Sequence, residues 1–212
     1  MAREVSHLLI IDPQNDFCDF PVPAACSPVK PCGEYPAPAL PVAGAHADMQ
    51  RLAALIGAGQ DGLGTITITL DSHHHLDIAH PTFWQNANGD PVAPFTPVSA
   101  ADVRASRYLP RDGLSRERVV AYLDALERNG RYAHMVWPVH CEIGTWGHNI
   151  HCDLHRACNR WEERVNANVA FVAKGENPWT EHYSAMMAEV PDPEDPGTQL
   201  NSRLLASLRH AD

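Results

Sequence analysis

The sequence is poor in lysine, in positive charge generally and in long apolar runs. Lys30 and Lys174 are its two lysines, and 16 basic residues stand against 26 acidic ones, a formal net charge of -10 over 212 residues. A nucleic-acid binder needs a clustered basic surface to neutralise phosphates, so the composition argues against that class. The acidic residues are dispersed and form no acidic tail. No stretch approaches the roughly 20 apolar residues of a membrane span. Met1 to His7 is polar, and the run Leu8 to Ile11 is far shorter than a signal-peptide core. There is no internal repeat. These absences together lead to a cytoplasmic protein with no membrane and no nucleic-acid partner as the expectation. The cysteines are Cys18, Cys26, Cys32, Cys141, Cys152 and Cys158. In a reducing compartment all six are expected as thiols.

What is present is a globular composition, 44% apolar, in a chain long enough for one domain with a substantial core. "HLLIIDPQNDF" reads as a buried parallel strand ending on Asp12, and "GTITITLD" as a second ending on Asp71. "YAHMVWPVH" reads as a third, and "NVAFVAKG" as a fourth ending on Lys174. Helices are expected over Val42–Ile56, Arg116–Asn129, His148–Val165 and Thr198–His210. In the last of these Leu200, Leu204, Leu205 and Leu208 are expected to face inward. Cys18–Pro41 and Ser72–Arg116 read as long loops, which in a compact domain are commonly functional. Strands alternating with helices predict an α/β fold, three layers α/β/α around a mainly parallel sheet. Ligands in such folds sit at the carboxyl ends of the strands. Those ends carry Asp12, Asp71, His140 and Lys174.

Two constellations there could carry chemistry. Asp71 and His73 are two apart at a strand end, so their side chains leave on one side. His80 follows a short loop later and His140 comes from the next strand. An aspartate with two or three histidines suits zinc, iron or manganese, although a histidine-rich loop can equally be solvated surface. Lys174 directly follows an apolar run, with Asp12 as the carboxylate on offer. Such a pair can poise a proton acceptor for a thiol, or it can be a structural ion pair.

"IIDPQNDF", "DSHHH", "WPVHC" and "AKG…YSA" occur in the order seen in the nicotinamidase/isochorismatase family of cysteine hydrolases, and the sequence resembles the nicotinamidase branch most. The resemblance spans Leu8 to Asp212, one isochorismatase-like domain over 1–212. It implies hydrolysis of a small amide, nicotinamide or a relative, to the acid and ammonia through a cysteine thioester. It implies Asp12 as the base and Lys174 as its lysine. Asp71, His73 and His140 would hold a divalent metal, zinc first, with His80 beside them as a fourth ligand. Phe17 and Trp137 would stack on a flat substrate ring. The family's nucleophilic cysteine lies one strand beyond the last helix here, so the domain is expected to be incomplete at its C-terminal side and inactive by itself. Cys141 in "WPVHC" is expected to be a buried, inert thiol. The runner-up reading is an inactive metal- or ligand-binding protein on the same fold, and a homo-oligomer is left open.

Overall fold

The computed structural model describes residues 6–21, 37–59, 62–130 and 132–209. Lys30, Cys26 and Cys32 lie outside them, as does most of the expected Cys18–Pro41 loop. The elements in chain order are β1 (Ser6–Ile10), α1 (Ala45–Ala58), β2 (Leu63–Asp71), β3 (Trp84–Asn86), β4 (Thr96–Val98), α2 (Ala100–Arg104), β5 (Tyr108–Pro110), α3 (Arg116–Arg128), β6 (His134–Val136), α4 (Cys152–Val165), β7 (Ala170–Lys174) and α5 (Ser202–Arg209). They fall into two compact units. Met1–Ser72, Ile143–Lys174 and Ser202–Asp212 form one, and His73–Glu142 with Gly175–Asn201 the other.

The first unit carries a parallel sheet in the order β1-β2-β7. Alternation along β2 sets its two faces. Ile66 and Ile68 join Ile10, Ile56 from α1, and Leu154, Ala157, Cys158 and Trp161 from α4 in one buried cluster. The intervening threonines are polar contacts instead. Thr67 Oγ1 lies 2.9 Å from His7 Nε2, and Thr69 Oγ1 donates to Asp12 Oδ1 at 2.6 Å. The register sets Asp71 opposite Lys174, at the carboxyl ends of neighbouring strands. The expected α/β class and parallel sheet are therefore present.

Helix α4 begins at Cys152, four residues later than the sequence predicts. The residues before it are held out of a helix by the "QN" of "DPQNDF". Gln14 Nε2 donates to the His148 carbonyl at 2.9 Å, and Asn15 Nδ2 donates to the Trp146 carbonyl at 2.8 Å. The Asn15 N–H also donates to the Asn149 carbonyl. Within this loop Gly147 packs on Asp16, and a Cβ added there would stand 2.1 Å from Asp16 Oδ2. Asp16 is buried, and its Oδ1 accepts the Ala39 N–H at 3.0 Å, so it has no free room to swing. Gly147→Ala is expected to cost about 1–3 kcal/mol, as overpacking does. A chemical denaturation midpoint equal to the parent's would show that the loop yields freely.

In the second unit the expected long loop Ser72–Arg116 is not featureless. It holds β3, β4, α2 and β5, each five residues or shorter. Pieces this short give no readable period. Only α2 had a local signature, the capping box in which the Ser99 side chain accepts the Asp102 N–H while the Ser99 N–H donates to Asp102. "YAHMVWPVH" is also corrected. Its strand, β6, is three residues long and pairs antiparallel with β4, outside the parallel sheet. Helix α3 turns Val119, Tyr122, Leu123 and Leu126 into a core with Ile78, Trp84, Val98, Val103 and Val136.

Two further expectations are corrected. Helix α5 starts at Ser202, so Leu200 precedes it and is 55% exposed, whereas Leu204 is buried. Cys152 is disulfide-bonded, against the expectation of reduced thiols throughout. Among the described residues Cys18, Cys141 and Cys158 are buried thiols outside any disulfide. No helix among them is long and apolar enough to cross a membrane.

Candidate functional site

The first unit places Lys174 between two carboxylates. Its Nζ donates to Asp71 Oδ1 at 2.8 Å and lies 3.1 Å from Asp12 Oδ2. The lysine side chain is 4% exposed, Asp71 11% and Asp12 19%. Burial pushes the pKa of the ammonium down, but Asp71 and then Asp12 outweigh it, and the Lys174 pKa is raised above 10.5. The lysine is therefore a fixed cation at neutral pH. Asp12 is set by its backbone, in the left-handed region at φ 48°, which a short polar side chain tolerates. Its N–H donates to Thr69 Oγ1 at 3.0 Å, and that hydroxyl donates back to its carboxylate. Gln14 grips the backbone of Asp71 at both ends, accepting its N–H and donating to its carbonyl, each at 2.7 Å.

The second unit gathers three imidazoles. His73, His80 and His140 each offer a ring nitrogen, and these atoms lie within 4.8 Å of one another. All three residues are at least 96% buried, since their exposures are 3%, 0% and 4%. Chain geometry brings them there. The His73 N–H donates to the Cys141 carbonyl at 3.1 Å, which ties the first histidine to the turn carrying the third. Cys141 closes that turn at φ 47°, fully buried. The "HHH" run divides, with His73 buried and His74 and His75 exposed.

Hydrogen bonds orient two of the rings. Asp77 Oδ2 lies 3.1 Å from His73 Nδ1, and the Pro138 carbonyl lies 2.8 Å from His140 Nδ1. Both partners only accept, so each Nδ1 is the donor of its bond and each ring is held with Nε2 turned the other way. His80 is the least satisfied ring. Its Nδ1 is buried with no hydrogen-bond partner, and its Nε2 takes a long 3.4 Å contact from the His140 N–H. A buried ring nitrogen without a partner is costly, and a cation held by that ring removes the cost. Burial first, then His73 and His140, push the His80 pKa down to about 4. The ring is thus neutral at physiological pH, as ligation requires. This donor set fits a divalent metal.

Asp71, expected among the metal ligands, belongs to the first unit, where its carboxylate carries Lys174. His80, expected only as an additional ligand, is a full member of the trio. Phe17 is half-buried in a short 3-10 helix of the first unit. Trp137 belongs to the second unit, where its Nε1 donates to the Tyr183 hydroxyl at 3.4 Å and its ring meets Phe95 edge-on at 6.0 Å. The sequence reading missed Asp77, Gln14 and Asn15. Asp77 was findable, since it stands at i+4 from His73 beside a histidine that needs an acceptor. A second cluster, His151, Cys152 and Asp153, also has close ligand atoms, but the sulfur of Cys152 is already committed to a disulfide.

No family model and no curated protein matches the sequence. Solved structures do. A nicotinamidase/pyrazinamidase of Acinetobacter baumanii matches over 100% of this chain and 68% of its own, at 19% identity and a TM-score of 0.55. The yeast nicotinamidase Pnc1p, bound to the inhibitor nicotinaldehyde, matches over 86% of this chain at 18% identity and a TM-score of 0.53. The fold is that of the nicotinamidases. This chain spans 62% of the length of the yeast nicotinamidase. At such low identity the likeness to the nicotinamidases extends to the fold alone.

Proposed function

We propose that this chain carries the metal centre and the acid–base pair of a nicotinamidase-like amidohydrolase that acts on a small amide such as nicotinamide. The observation that carries the proposal is the trio of buried imidazoles whose ring nitrogens converge, with the His80 ring left short of partners. His73, His80 and His140 would hold the ion, zinc in preference to iron or manganese, because three buried nitrogen donors suit zinc. When bound, the metal supplies a Lewis acid that polarises and orients what it touches.

The remaining chemistry belongs to side chains. Asp12 would take a proton from the attacking group and return it to the leaving ammonia. Lys174, held as a cation 3.1 Å away, would orient the Asp12 carboxylate and balance its charge. Phe17 and Trp137 are each proposed, by resemblance, as residues that stack on a flat ring.

No described cysteine suits the attack. Burial, then Asp19, raise the Cys18 thiol to about 12, and burial, then Glu162, raise Cys158 to about 11. Cys141 is fully buried and Cys152 is disulfide-bonded. A thiol nucleophile must be ionised and within about 3–3.5 Å of the carbonyl. That supports the second reading, in which the 212-residue chain binds ligand and metal without turnover. Ammonia release from nicotinamide by this chain is expected at background, with and without zinc, and likewise in Cys141→Ala. Strong activity that disappears in Cys141→Ala would make Cys141 the nucleophile and overturn the assignment.

A further inference from the structure

His134 has no part in the chemistry described so far, and packing alone explains it poorly. It is 2% exposed in β6, between Trp84 and Tyr122, with ring centroids at 5.5 and 5.7 Å. Its Nε2 lies 2.9 Å from the Ile78 carbonyl, which only accepts, so Nε2 carries the proton. Nδ1 is then a bare acceptor, buried and without a hydrogen-bond partner. An aliphatic side chain of similar volume would fill the space without that penalty. The residue must therefore supply something an aliphatic one cannot, and the Nε2–H donor is the only candidate on the ring.

The carbonyl it grips is at a sensitive place. Ile78 follows Asp77, the carboxylate on His73, and precedes His80 by two residues. The same Ile78 carbonyl accepts from Trp84 Nε1 at 2.7 Å, and the Ile78 N–H donates to the Pro178 carbonyl at 2.9 Å. The loop then folds on itself. The Ala79 N–H donates to Asp77 Oδ1 and the His80 N–H to the Asp77 carbonyl, both at 2.9 Å. The Ala79 carbonyl accepts the Trp137 N–H at 2.7 Å. Fixing the Ile78 peptide therefore fixes the Asp77 carboxylate and the His80 ring together.

We propose that His134 is a positioning residue for the metal centre: its Nε2–H and Trp84 Nε1–H clamp the Ile78 carbonyl, which sets His80 as a ligand and Asp77 as the orienting acceptor of His73. The inference rests on the metal reading above. It assigns to a residue outside the ligand set a share of the metal affinity, and it names the atom responsible.

The test is a Co(II) titration of the 212-residue chain, followed by its visible absorption band, for the parent and for His134→Leu, His134→Gln and His134→Asn. Gln reaches where Nε2 lies and keeps the donor, Asn is too short, and Leu has none. Leu and Asn are expected to weaken Co(II) binding by about 10–100-fold, as loss of an outer hydrogen bond does. Gln is expected to bind close to the parent value with the same band. Thermal melting of metal-free His134→Leu is expected to hold or rise, because the unpartnered nitrogen is gone. A purely structural role gives the opposite pattern, with melting and affinity falling together in all three. Native affinity and band in His134→Leu would overturn the proposal. If Leu does not fold, equal affinities of the Gln and Asn proteins would overturn it instead. A parent chain that takes up no Co(II) would bring down the metal reading itself, and this inference with it.

Discussion

Lys174→Met is expected to lose about 3–5 kcal/mol of stability at neutral pH, the usual cost of removing one partner of a buried ion pair. The variant leaves Asp71 and Asp12, 11% and 19% exposed, without the cation that both approach. The loss should depend on pH in a defined direction. In the parent the Lys174 pKa is raised above 10.5 in the folded state, so its contribution is complete below 10.5 and fades as pH climbs through the folded value. Urea denaturation of parent and variant from about pH 7 to about pH 11 reads that convergence. A variant as stable as the parent at pH 7 would show that Lys174 reaches solvent and that the ion pair is not formed.

His73→Ala is expected to reduce bound zinc from about one ion per chain to almost none, because three nitrogen donors are the minimum for a firm site. The adjacent His74→Ala serves as the matched control. His74 is exposed and His73 is 3% exposed, so only the second change removes a donor from the trio. Elemental analysis after gel filtration distinguishes the two. Equal zinc in both variants would mean that the metal, if any, sits elsewhere. Asp77→Asn should fall between them. It keeps an acceptor 3.1 Å from His73 Nδ1 but gives up the charge that makes the ring a better donor to metal.

Much of the first unit could be read from the chain. The apolar runs ending in Asp12, Asp71 and Lys174 are strands β1, β2 and β7, and their ends bring the lysine to the two carboxylates because parallel strands finish on one edge. The sequence did not reveal that Lys174 would take Asp71 as well as Asp12. That follows from register, since Asp71 and Lys174 are Cα partners, and register is a property of pairing rather than of either strand. The second unit was far less legible. Its strands are three residues each, too short for alternation to be recognised, and β6 pairs with β4, a segment that offered no strand pattern. The histidines were found by residue type, but their roles were not. His80 was ranked below Asp71, and His134 was passed over as part of a strand. Both depend on which ring nitrogen is left without a partner after folding. Spacing along a chain carries no such information.

The most direct test of the three-histidine centre is X-ray absorption at the zinc edge of the zinc-loaded 212-residue chain. The expected spectrum has a first shell of nitrogen or oxygen at about 2.0–2.1 Å, with outer-shell scattering from three imidazoles and no sulfur at about 2.3 Å. The His80→Ala protein should show one imidazole fewer. A sulfur shell, fewer than three imidazoles in the parent, or an unchanged spectrum in His80→Ala would contradict the assignment of His73, His80 and His140 as the metal centre.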